Sequence, residues 1–288
     1  MSALKQNSSF GTAQIILFFS IAILVIVVAV PVLLIFFNAF WVNGEFNVAD
    51  VAKIILEPET YQALVNSLII ATGTTIGSTI VGTFFAWLVT RTDLPYKSFM
   101  KSMFLVPFML PSFIGALAWK MLLSPNAGFI NKFFINNFGF DGPIFNIYSY
   151  LGIVLVEIMY LFPFVFIQVC GALERMDPTL EESARISGAG LFTITRKITI
   201  PLVLPSILSG SLLIMLYSMA HFGTVAVLGI ENGIFNIPTL IYQRIHQSAG
   251  SFESIRTGTV LATVLVVTAA LIIWLQGKIL SKGKYQII

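Results

Sequence analysis

The sequence predicts an all-α membrane protein with about six transmembrane helices, and three observations carry that reading. Apolar residues make up 57% of the chain and charged residues 10%, where a soluble domain carries roughly a quarter charged. Runs of about 20 apolar residues, enough to span a bilayer core of about 30 Å, recur near 15–37, 63–89, 99–123, 148–173, 202–228 and 257–280. The 16 lysines and arginines are shared unequally between the two sets of connecting loops.

The first run is longer than the roughly 7–15 residues of a signal-peptide core, and no small-x-small cleavage pattern follows it. It reads as a retained helix. The second run carries Gly73, Gly77 and Gly82 among Thr72, Thr74, Thr75, Ser78, Thr79 and Thr83. Small residues at near-helical spacing let backbones approach, and hydroxyls bond across helices, so this helix is expected to be packed on several sides. The third run contains Pro107 and Pro111, each of which removes an internal hydrogen bond and bends a helix. Such kinks suit a moving pathway or a plain packing irregularity. The fourth holds Glu157 and Cys170, the fifth Tyr217, His221 and Thr224, and the sixth no charge before Lys278. A single cysteine in an apolar run excludes a disulfide framework and reads as a small buried hydrophobe.

Sidedness follows from the basic residues. Lys5, Arg91, Lys97, Lys101, Arg175, Arg185, Arg196, Lys197, Lys278, Lys282 and Lys284 share one side, leaving Lys53, Lys120, Lys132, Arg244 and Arg256 on the other. Eleven against five places both termini in the cytoplasm. The expected organisation is a tail, first helix and external loop over 1–62, a core over 63–280 with a cytoplasmic loop at 174–200, and a cytoplasmic tail over 281–288. No basic stripe supports nucleic-acid binding.

That cytoplasmic loop is a polar island running from Asp177-Pro178-Thr179-Leu180-Glu181-Glu182 through Ser183-Ala184-Arg185-Ile186-Ser187-Gly188. Asp before Pro is a strong helix start, because an Asp cap satisfies orphan amides and Pro at the first position loses nothing. Glu181 and Glu182 then sit where the helix dipole favours negative charge. Leu180, Ala184, Gly188 and Leu191 make a narrow stripe of mostly small residues, and Gly188 and Gly190 permit a turn into a second helix leading through Pro201. The pattern alone fits either a solvated connector or an element that docks in a cleft of another protein.

The residues Glu182-Ser183-Ala184, Gly188 and Ile198-Thr199-Ile200-Pro201 resemble the signature of binding-protein-dependent ABC importer permeases. That signature is Glu-Ala-Ala, Gly four positions on, then Ile-x-Leu-Pro. Ser replaces the first Ala and Ile the Leu; the spacing is kept. Arg91-Thr92-Asp93-Leu94-Pro95, the stretch from Pro107 to Ser112, Glu157 to Pro163 and Phe222-Gly223-Thr224 look like the ferric-iron-type branch, in particular the N-terminal half of its fused permeases. The resemblance implies a type I (MetI-like) permease fold in a bacterial inner membrane. It implies a coupling loop made by Glu181, Glu182, Ser183, Ala184, Gly188, Ile198 and Pro201. It further implies two cytoplasmic ATPase subunits that bind ATP and Mg, a second permease half, and an extracytoplasmic solute-binding protein. No phosphate-binding Gly-x-x-x-x-Gly-Lys-Ser/Thr loop occurs in the chain, so no cofactor and no enzymatic activity are expected of it.

Intramembrane ionisable groups are candidates for function by default. Glu157 and His221 qualify, with Tyr217 and Thr224 as pathway neighbours; either ionisable group also reads as a hydrogen-bonded link between helices. Iron-type and polyamine-type relatives commonly place an acid where His221 stands, so a histidine there favours an anionic cargo, such as a phosphorylated small molecule or a chelated ferric complex. Polyamine or another small solute is the alternative within the family. An ion-coupled carrier would need more buried charge than one Glu and one His, and two histidines in all leave no metal cluster for an embedded hydrolase. Tyr242, Arg244 and His246 in the outer loops are expected contacts for the solute-binding protein.

Overall fold

A computed structural model describes residues 12–42, 45–247 and 251–282. Lys5 and Lys284, counted in the charge asymmetry, lie outside the described residues, as does the tail beyond 282. From the N-terminus, α1 (Gln14–Phe40) leads through a short antiparallel hairpin, β1 (Trp41–Val42) against β2 (Glu45–Phe46), into α2 (Val48–Leu56). There follow α3 (Pro58–Arg91), α4 (Lys97–Met109), α5 (Ser112–Leu123), α6 (Phe129–Phe138) and α7 (Tyr150–Arg175). The polar island forms α8 (Thr179–Ile186). Beyond it lie α9 (Leu191–Met219), α10 (Gly223–Leu228), α11 (Ile237–Gln247) and α12 (Phe252–Lys282).

Among the described residues five helices, α1, α3, α7, α9 and α12, are long and apolar enough to cross a membrane, and α4 with α5, taken as one bent span, makes a sixth. The expected count of about six holds, with two corrections. The third span is not evenly kinked at its prolines. Pro107 is absorbed within α4, and the chain turns by 92° between Met109 and Ser112. Leu110 is extended there, as a residue preceding proline prefers to be. The fifth span is not continuous over 202–228 either. It starts at Leu191, stops at Met219, and resumes as the short α10. The break is held open by Asn236, whose Nδ2 donates to the carbonyl of His221 at 2.7 Å.

Proline also explains two widened turns. Val25–Ala29 and Thr195–Thr199 are π-helical, and each ends two residues before a proline, Pro31 and Pro201. A proline ring collides with the carbonyl one turn back and donates nothing to it. One extra residue in the preceding turn relieves both problems without ending the helix.

The centre of the molecule is the trio α3, α7 and α9. Lipid tails are as apolar as leucine, so these helices gain little from hiding apolar surface and much from close packing and cross-helix hydrogen bonds. α7 is enclosed along most of its length, burying Ile153, Val156, Leu161, Val165, Val169 and Leu173. Its neighbours approach through glycine. A β-carbon at Gly82 of α3 would lie 2.7 Å from the Phe162 carbonyl oxygen, and one at Gly210 of α9 would lie 2.9 Å from Val165 Cα. Hydroxyls complete the contact, Thr79 Oγ1 meeting Ser211 Oγ at 2.8 Å. The stretch of α1 facing lipid has none of its residues buried, and α1 touches the core where Ala39 packs with Val51 and Val260.

At the end away from the island, a single side chain organises the loop between α5 and α7. Asn131 Nδ2 donates to the carbonyls of Ser124 (3.0 Å) and Phe145 (2.9 Å), while its Oδ1 accepts from the amides of Ile144 and Phe145. At the same end Asn66 Nδ2 donates to the Phe235 carbonyl at 2.7 Å and Ser67 Oγ accepts from the Ile237 amide.

The close approaches differ in what stands in the way. At Gly82 the obstacle is backbone, whereas at Gly77 it is the tip of the Ile158 side chain, which can rotate. Gly82→Ala is expected to lower stability by about 1–3 kcal/mol and Gly77→Ala by clearly less. Thermal unfolding of the detergent-purified protein decides this; equal losses would contradict the packing described.

Candidate functional site

Two polar constructions stand out from the apolar bundle, one at each end of the central trio. The first is the island. Asp177 Oδ1 accepts the amide of Thr179 at 2.9 Å, and that hydrogen bond holds its carboxyl below the usual carboxylate range. The helix start is therefore capped at neutral pH, and the cap is lost as pH falls through that lowered value. α8 closes in a Schellman turn: Gly188 N donates to Arg185 O, and Ala189 N to Ala184 O at 3.0 Å. Gly188 takes φ +82°, the left-handed conformation this turn requires, and faces open space. The sequence-predicted sharp turn is present, and α9 follows it directly.

Of the predicted coupling residues, Glu182 and Ser183 are exposed, Ala184 and Ile198 half-buried, and Gly188 and Pro201 exposed. Glu181 is turned inward instead. It is the one buried residue of α8. Arg91 Nε, at the end of α3, lies 2.9 Å from Glu181 Oε2, and Thr199 Oγ1 of α9 donates to Glu181 Oε1 at 2.6 Å. The same arginine donates through Nη2 to the carbonyl of Leu173, in the last turn of α7. What the island shows to solvent includes Ile186, an apolar side chain outside the stripe read from the sequence, 88% exposed. Phe192, 76% exposed, belongs to the start of α9.

The second construction lies where both broken spans meet α7. Glu157 is fully buried, and its carboxylate is met by groups from two helices and from the break after α9. Thr74 of α3 donates to Oε2 at 3.0 Å, Ser218 of α9 donates to the same oxygen, and His221 Nδ1 lies 3.0 Å from Oε1. His221 Nε2 then meets Ser112 Oγ, the first residue of α5, at 2.7 Å. Sequence reading treated Glu157 and His221 as separate candidates; the break in α9 brings them together. Tyr217 is half-exposed, its ring 5.5 Å from that of His221. A cavity of about 400 Å³ opens here, lined by Phe108–Phe113, Tyr160, Leu161, Tyr217 and His221. Glu157 and Thr224 do not reach it. Thr224 is fully buried behind it, and its hydroxyl has no hydrogen-bond partner among the described residues.

A larger hollow of about 790 Å³ lies nearer the island, between α3, α7 and α9, with walls such as Ile80, Phe84, Phe192 and Leu204. It is apolar and collects no converging polar groups. On α11, Arg244 is engaged by Glu57 at 3.0 Å and Glu59 at 2.7 Å, whereas Tyr242 and His246 are exposed.

Comparison with known proteins agrees with this architecture. A putative ferric transport system permease protein, FbpB 1 of Haemophilus influenzae, is 28% identical over 247 residues, 85% of this chain but 38% of its own length. The chain thus spans well under half of that relative. The molybdenum transport system permease protein ModB of Escherichia coli is 30% identical over 77% of this chain and 95% of its own length. The spermidine/putrescine transport system permease protein PotB of Salmonella typhimurium is 26% identical over 97% of this chain and 98% of its own. Among solved structures, a chain of a bacterial alginate ABC transporter in complex with an alginate-pentasaccharide-bound periplasmic protein superposes with a TM-score of 0.75 at 18% identity, over 92% of both chains. The family described as binding-protein-dependent transport system inner membrane component matches residues 78–283. The chain belongs to that family, the permease subunits of ABC importers.

Proposed function

We propose that this chain lines half of a solute pathway in a bacterial inner membrane, with its termini and island in the cytoplasm. A second permease half completes the pathway, and a solute-binding protein delivers cargo to the opposite face. ATP and Mg are bound and turned over by two partner subunits that seat the island in a cleft. The observation that carries this reading is the island itself. A capped helix with a fixed Schellman turn displays Ile186 to solvent, where an isolated protein gains nothing from showing it.

Anionic or chelated cargo is favoured over polyamine. The cavity at the two breaks presents imidazole, phenol and hydroxyl groups, and no carboxylate among its lining residues. Glu157, the acid beside it, is sealed away and already holds donors from Thr74, Ser218 and His221. A polyamine would find no counter-charge there. The iron and molybdenum systems among the relatives fit this reading better than the spermidine/putrescine one.

Three outcomes test these statements. Ile186→Asp should weaken retention of the ATPase on the purified complex about tenfold, the scale of one buried apolar anchor, with the spans still inserted. Undiminished retention would sink the docking role. Cells expressing the whole system should accumulate ferric chelates or phosphorylated sugars from a labelled panel; accumulation of spermidine alone would overturn the anionic reading. Finally, His221→Ala strips one donor from a buried carboxylate and should cost about 3 kcal/mol of stability. Adding Glu157→Gln should recover part of that loss, and a strictly additive double mutant would show that the two groups are not coupled.

A further inference from the structure

We infer that Arg91, Glu181 and Thr199 form the latch through which motion of the island reaches the membrane helices, so that Glu181 is a positioning residue and not a contact for the ATPase. The inference rests on the docking reading of α8 given above. α8 is tied to the chain by two short connections, and the one after it contains Gly188 and Gly190. These connections join α8 to α7 and α9 only, so α3 is reached through a side chain. The only side chain that α8 buries is Glu181, so its grip on the bundle is a carboxylate and not an apolar contact.

That carboxylate reaches all three central helices at one point. Arg91 Nε, in the last turn of α3, faces both of its oxygens, at 3.1 and 2.9 Å. Arg91 also donates to Leu173 O of α7 at 3.0 Å, and Thr199 of α9 donates to Glu181 at 2.6 Å. The side chains are enclosed, Arg91 being 16% and Glu181 11% exposed. The planar guanidinium is fixed by two partners, Nε on the carboxylate and Nη2 on the Leu173 carbonyl, so its hold is directional, whereas an apolar side chain can slide in its socket. Thr199 closes the widened turn of α9, where the helix has one residue of slack and can bend. A displacement of α8 therefore acts on α3, α7 and α9 together.

The test reads transmission without needing the solute. Met109 sits at the bend between α4 and α5, 79% exposed on the rim of the cavity; Met109→Cys supplies a reporter there, the native Cys170 being buried. The whole transporter is purified through a tag on this chain, reconstituted, and labelled with a water-soluble maleimide, nucleotide-free and after trapping with ATP and vanadate. In Glu181→Gln the ATPase should remain bound and hydrolytically active, while the trapping-dependent change in labelling rate shrinks about fivefold, within the range of mutations on a coupling route. A merely structural contact would lower the yield of complex and leave that change intact in what assembles. An undiminished change overturns the latch, and so does loss of the ATPase, which would make Glu181 a docking residue. If Glu181→Gln fails to accumulate, Arg91→Lys, which keeps the charge but cannot hold Glu181 and the Leu173 carbonyl with one planar group, is judged on the same readout. Should Ile186→Asp complexes keep their ATPase, the docking reading falls and takes the latch with it. An Ile186→Asp complex that sheds its ATPase, with an unchanged signal in Glu181→Gln, sinks the latch alone.

Discussion

A buried carboxylate must be surrounded by donors, and this molecule meets that demand twice with the same three helices. Glu157 gathers Thr74 from α3 and Ser218 with His221 from the end of α9, while itself standing on α7. Glu181 gathers Arg91 from α3, Thr199 from α9 and, through Arg91, the final turn of α7. Thr74 and Arg91 are separated by about 25 Å of helix at 1.5 Å per residue. The trio is thus pinned at two depths by polar contacts and packed between them through Gly82 and Gly210. In a solvent that rewards neither apolar burial nor bare charge, these are the interactions that define the arrangement.

Much of this was legible in the sequence, for identifiable reasons. Apolar run length is a direct consequence of bilayer thickness, so the span count survived comparison with the structure. The island turn was legible because only glycine sits easily at the φ of Gly188. The small-residue face of α3 was legible because close approach demands Gly82. Other features were not local. The break at Ala220–Phe222 depends on Asn236, fifteen residues beyond His221, and no periodicity in the apolar run announces it. The pairing of Glu157 with His221 follows from that break. Glu181 looked like its neighbour Glu182, since two adjacent acids in a helix differ only by a rotation of about 100°. Arg91, ninety residues earlier, decides which of the two turns inward.

The periphery behaves differently from the trio. α1 shows nearly all of its apolar surface, with Phe18, Leu24 and Val27 each more than half exposed. It is attached mainly through α12 and the small Ala39 contact. The loops at the end away from the island, by contrast, are stitched by side chains of high specificity: Asn131 to five backbone groups, Arg244 to two glutamates, and Lys120 to Glu231 at 2.9 Å. Such stitching holds a loop surface in one shape without an apolar core of its own.

The widened turn at Thr195–Thr199 has one more consequence. A π turn holds a spare residue while leaving the helix on either side in its own phase. The island and the membrane-spanning part of α9 can therefore differ in length between sequences by one residue here without either being rotated relative to the other. Elsewhere along α9 a single insertion would swing everything beyond it by about 100°. The proline that looks like a defect in the helix gives it a tolerance for changes of length, in the segment that joins the polar island to a membrane-spanning helix.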